Sequence, residues 1–81
     1  MKIPRDLSAS QLVKLLKKFE YEQTRQVGSH IRLTGKSKEG EHHITIPNHD
    51  PLKIGTLNSI LKDISAFLKI PKEDLVKQLF S

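Results

Sequence analysis

Residues 21–47 read YEQTRQVGSHIRLTGKSKEGEHHITIP, and the fold turns on this stretch. At its centre, His30-Ile31-Arg32-Leu33-Thr34 alternates polar and apolar at every step, the period of a half-buried strand. His43-Ile44-Thr45-Ile46 alternates again and ends at Pro47, which has no N–H for a ladder. Tyr21 to Val27 is a more polar first strand, and Gly28-Ser29 is a tight-turn signal between it and the second. Gly35 to Gly40 reads as a polar hairpin loop bracketed by glycines. Three strands in succession with short connections make an antiparallel meander.

Upstream lies a helix. Ser8 with Gln11 has the spacing of a capping box, in which two side chains satisfy orphan backbone N–H groups. Leu12, Leu15, Leu16 and Phe19 follow as one apolar stripe, predicting a helix from about Ala9 to Lys18. Downstream, Pro47 to Pro51 is a turn cluster. Gly55-Thr56 opens a second helix with Thr56 as its cap, and Leu57, Ile60, Leu61, Ile64, Phe67 and Leu68 form its stripe. Pro71 suits the first position of a short last helix. There Glu73 and Asp74 favour the helix dipole, and Leu75, Val76, Leu79 and Phe80 dock it. The order is helix, three strands, helix, helix: an α+β domain with both striped helices on one sheet face, similar to the double-stranded-RNA-binding fold.

Composition narrows the function. The 81 residues give room for one domain, 1–81, with a core too small for a deep substrate cavity. There is no Cys, which excludes a disulfide, a thiol nucleophile and Cys-ligated metal, and suits a reducing, cytoplasmic setting. The longest apolar run is Ala66-Phe67-Leu68, too short to span a membrane, and Met1 to Asp6 lacks a signal peptide's apolar stretch. Lys and Arg number 14 against 9 Asp and Glu, a formal charge of +5 that favours a polyanionic partner.

No phosphate-binding loop, dinucleotide fingerprint or convincing pair of acids occurs, so histidine is the informative residue type. His30 shares a strand face with Arg32 and Thr34, opposite the face of Ile31 and Leu33. An imidazole, with an ordinary pKa of about 6.5, gives or takes a proton at neutral pH, and a neighbouring guanidinium holds phosphate. His30 is therefore either a proton-transfer group for a phosphodiester or an idle surface histidine. His42, His43 and His49 match no metal-ligand spacing, and His42 and His43 fall on opposite faces of their strand. His49 fits a hydrogen-bonded turn, with a role beside an active site left open. Arg25, Arg32, Lys36, Lys38 and Lys53, with the helix start at Gly55-Thr56, form a basic set suited to phosphates, or simply a solvated exterior. The sheet face lacks an aromatic pair for stacking bases.

Gly28-Ser29-His30, Ile44-Thr45-Ile46-Pro47-Asn48-His49 and Gly55-Thr56-Leu57-Asn58-Ser59-Ile60-Leu61 together resemble the HicA (YcfA-like) family, the toxins of HicA–HicB toxin–antitoxin systems. The likeness covers nearly the whole chain, including the opening Lys2 to Leu7 and the last helix from Pro71. It implies a double-stranded-RNA-binding-like fold, an endoribonuclease that cuts mRNA, and a HicB-like antitoxin that covers the active site. The family's active-site histidine carries over to His30. For Pro47, His49 and Gly55 to Leu57 it carries over position and a structural part. No cofactor and no membrane partner is expected, and cleavage needs no metal, because RNA supplies its own 2′-hydroxyl. The alternatives are an RNA-binding module of the same fold that does not cut, and a domain whose basic face meets only an acidic protein.

Overall fold

A computed structural model describes residues 3–38 and 40–80; Met1, Lys2, Glu39 and Ser81 lie outside the described residues, and with them the first residue of the family-like opening and one of the expected loop. Helix α1 spans Ala9–Leu16, followed by a 3₁₀ turn over Lys17–Phe19. Strands β1 (Tyr21–Val27), β2 (His30–Ser37) and β3 (Gly40–Pro47) form one antiparallel sheet in the order β1-β2-β3. Helices α2 (Ile54–Leu68) and α3 (Lys72–Phe80) complete the chain. This is the expected α+β order, a helix, a three-stranded antiparallel sheet, then two helices.

The capping box forms as its spacing requires. The Gln11 backbone N–H donates to Ser8 Oγ at 3.2 Å, and the Ser8 N–H donates to Gln11 Oε1 at 2.9 Å. The α-helix is shorter than expected: it tightens at Lys17 and stops where Glu20 turns left-handed, with φ 62°. Ala9, Leu12, Val13 and Leu16 from α1, Ile31 and Leu33 from β2, and Ile44 and Ile46 from β3 are buried together with Leu57, Ile60, Leu61 and Ile64 from α2. Each buried Leu, Ile or Val side chain among them contributes about 1.5–3 kcal/mol of transfer free energy. Leu75, Val76 and Leu79 dock α3 on the same core.

Three further boundaries differ from expectation. The segment Gly35–Gly40 is mostly strand, with β2 running to Ser37 and pairing back from Gly40. The glycines suggested a loop, but Gly35 is there for close approach. It lies opposite Tyr21 on β1, and a Cβ built on it would collide with the phenol ring. Helix α2 begins at Ile54 with Lys53, not Thr56, at the N-cap, and Lys53 supplies no side-chain cap. Pro71 falls just before α3, where its carbonyl accepts from the Asp74 and Leu75 N–H groups at 3.0 and 3.1 Å. The Gly28-Ser29 turn is as read. Gly28 takes φ 58°, the first central position of a two-residue turn that suits glycine, and delivers the chain directly into His30.

Tyr21 is fully buried. Its hydroxyl meets His42 Nδ1 at 2.6 Å, and the His42 ring stacks on Phe67 with centroids 4.7 Å apart. Burial, aided by the Asp63 carboxylate, pushes the phenol up to about 12. The folded pKa exceeds the unfolded one, so this contribution is complete below pH 10 and is lost as pH rises towards 12. Urea unfolding between those pH values should show wild type losing stability faster than Tyr21→Phe. Gly35→Ala should cost about 1–3 kcal/mol in the same assay at pH 7, because the Tyr21 ring has nowhere to go.

Candidate functional site

Helices cover one face of the sheet and leave the other open. Along β2, Ile31, Leu33 and Gly35 are buried while His30, Arg32 and Lys36 are exposed and Thr34 is half-buried. Cross-strand partners share a face, so the open side is built in rows. Val27, His30 and Pro47 make the first row, Arg25, Arg32 and Thr45 the second, and Glu22, Thr34 and His43 the third.

His30 stands at the end of the sheet, exposed, where the Gly28-Ser29 turn enters β2. A second turn is tied to the first: the Asn48 N–H donates to the Ser29 carbonyl at 2.7 Å. This brings the Gly-Ser-His and Pro-Asn-His segments, far apart in sequence, to one corner of the molecule. Next to that corner, Arg25 and Arg32 lie directly opposite each other on β1 and β2. The bulge between Gln23 and Arg25 sets this register, and the Thr24 hydroxyl at the bulge donates to the Arg32 carbonyl at 3.4 Å.

The basic set does not gather into one patch. Arg25 and Arg32 form the row next to His30, but Lys36 is six residues along β2, about 20 Å away at the rise of a strand. Lys36 also faces Glu41 across β3. Lys38 lies in the connection beyond it, and Lys53 precedes α2 outside the sheet. A hollow of about 820 Å³ lies at that far end, lined by Glu22, Thr24, Thr34, Lys36, Glu41 and His43. Its charges are mixed and it does not reach His30. Positive charge on the open face is therefore concentrated at the His30 end. The groove between β3 and α2, about 420 Å³, adjoins that end through Pro47 and includes Gly55 and Thr56.

The other histidines separate by environment. His42 faces the core side, committed to Tyr21 and Phe67. His43 is on the open face, with Nδ1 3.0 Å from Thr34 Oγ1, which lies 3.2 Å from Thr24 Oγ1. His49 is exposed in the turn after β3. Among the described residues, no three His, Asp or Glu side chains converge in a metal-binding group. The Tyr21–His42–Phe67 contact and the bond that ties the Asn48 turn to Ser29 are not legible in the sequence, because each depends on pairing between distant residues. The aromatic residues of the described chain, Phe19, Tyr21, Phe67 and Phe80, are all off the open face.

A small α+β domain with a bare sheet face, carrying a histidine beside paired arginines, is the class these features define. A family model described as the HicA toxin of bacterial toxin–antitoxin systems matches residues 9–65, from the start of α1 into α2. The chain belongs to this toxin family, and membership implies an antitoxin as partner. Neither a curated protein nor a solved structure matches it. Among the described residues, no helix is long and apolar enough to cross a membrane.

Like charges directly opposite on neighbouring strands destabilise a sheet. Arg25 and Arg32 are such a pair. Urea unfolding of Arg32→Gln should therefore show stability equal to or above wild type, by up to about 0.5 kcal/mol. A clear loss would mean that Arg32 serves the fold.

Proposed function

We propose that this toxin is an endoribonuclease that cuts mRNA at the His30 end of its open sheet face, and that a HicB-type antitoxin silences it by covering that end. The observation that carries this reading is the exposed His30 held at a turn beside the Arg25–Arg32 pair. Two cations kept face to face at a cost to the sheet make sense if an anion belongs between them.

RNA brings its own nucleophile. The 2′-hydroxyl adjoins its phosphate, so the enzyme needs to move protons and offset charge rather than supply an attacking atom. His30 takes the 2′-hydroxyl proton or protonates the leaving 5′-oxygen. Arg25 and Arg32 hold the phosphate and stabilise the additional negative charge of the pentavalent state. No metal or cofactor has a task in this scheme. Lys36 and Lys38 are too distant to touch the reacting phosphate and hold phosphates further along the strand, while Lys53 serves RNA passing the β3–α2 groove. These contacts give affinity without sequence readout. The excess of positive charge, +5 overall, also suits an acidic antitoxin whose docking is accelerated by charge.

The decisive experiment incubates purified protein with labelled RNA, with and without EDTA, and compares His30→Ala. His30→Ala should keep its circular dichroism spectrum and its RNA affinity while cutting about 10²- to 10⁴-fold more slowly. Wild-type cleavage should persist in excess EDTA and spare DNA of the same sequence. Binding without cutting would leave only an RNA-binding module. A folded His30→Ala that cuts as wild type would remove His30 from the mechanism.

A further inference from the structure

One histidine cannot both accept the 2′-hydroxyl proton and supply the 5′-oxygen's proton at the same moment. The chain has three others. His42 is turned to the core side and bonded to Tyr21. His43 lies opposite Thr34, two rows and about 13 Å along β2 from His30, and its Nδ1 is already engaged 3.0 Å from Thr34 Oγ1. His49 is different. Pro47 is the direct cross-strand partner of His30, and His49 follows two residues later. Paired Cα atoms are about 5 Å apart and consecutive ones 3.8 Å, so the His30 and His49 Cα atoms are separated by no more than about 13 Å.

His49 is also held there. Its N–H donates to the Pro47 carbonyl at 2.8 Å, and its carbonyl accepts from the Ala9 N–H, at the start of α1, at 3.0 Å. The Asn48 N–H bond to Ser29, the residue before His30, locks the two turns together. All three bonds are made by backbone, which leaves the exposed imidazole free of any structural task in them. A fixed backbone with an uncommitted, solvent-facing imidazole is a suitable mount for proton transfer.

From this geometry we infer that His49 is the second proton-transfer group, acting with His30 across one RNA phosphodiester; this rests on the ribonuclease reading above. One imidazole removes the 2′-hydroxyl proton as the O2′–P bond forms. The other, starting protonated, delivers its proton to O5′ as the P–O5′ bond breaks. The products are a 2′,3′-cyclic phosphate and a 5′-hydroxyl. One proton enters the pair and one leaves, so the balance closes without a co-reactant.

The test compares the full chain with His30→Ala and His49→Ala on two RNA substrates, one ordinary and one with sulfur in place of the 5′-bridging oxygen at the cleaved linkage. A thiolate leaves without a proton, so loss of the acid does not matter there. Both variants should be about 10²-fold or more slower on ordinary RNA, with unchanged circular dichroism. On the sulfur substrate one of them should recover to near the unchanged chain's rate and the other should not. If His49→Ala disturbs the fold, His49→Gln replaces it. His49→Ala cutting ordinary RNA at the full rate would overturn the proposal. So would equal loss in both variants on both substrates. If the unchanged chain cuts neither substrate, the ribonuclease reading itself fails.

Discussion

The register of β2 is the constraint on which the rest depends. It is the central strand, hydrogen-bonded on both sides, and its residues are buried in strict alternation at Ile31, Leu33 and Gly35. A slip by one residue would drive His30, Arg32 and Thr34 into the helices and expose the apolar set. Two features at its ends oppose that slip. The Gly28 turn fixes the first pair, Val27 with His30, and the Tyr21 ring seated over Gly35 accepts no other residue there. The same lock that secures the core therefore decides which side chains face solvent, and His30 is one of them.

The division of labour between the faces follows. One face carries the apolar side chains that α1, α2 and α3 cover, which is where the folding free energy resides. The other is polar, bare and unevenly charged, with arginines paired at one end and Lys36 opposite Glu41 at the other. Nothing in packing requires Arg25 to face Arg32. Like charges so placed oppose a sheet, and residues that oppose the fold are commonly kept for a task. The toxin family to which the chain belongs gives that task a direction.

Much of this was legible in the sequence wherever the signal was local. The alternation through His30 to Thr34 declared both faces of β2, the Ser8–Gln11 spacing declared the cap of α1, and the stripe through Leu57 to Ile64 declared the buried face of α2. What was missed depends on distant partners. Gly35 to Gly40 looked like a loop because glycine and lysine are poor strand formers, yet Tyr21 requires a glycine opposite it. Thr56 looked like a cap, but the turn out of β3 starts the helix earlier, at Ile54. The sequence places His49 in a turn, where its backbone is, and leaves a role beside an active site open. That the turn binds Ser29 and so borders His30 is a tertiary fact.

The central claim is that the open face moves protons and holds charge while RNA supplies the nucleophile. The ends of the cut RNA record this chemistry directly. Mass spectrometry of the fragments should find a 2′,3′-cyclic phosphate, or the 3′-phosphate from its later hydrolysis, opposite a 5′-hydroxyl. A 3′-hydroxyl opposite a 5′-phosphate would mean that water attacked the phosphorus, and would contradict the account.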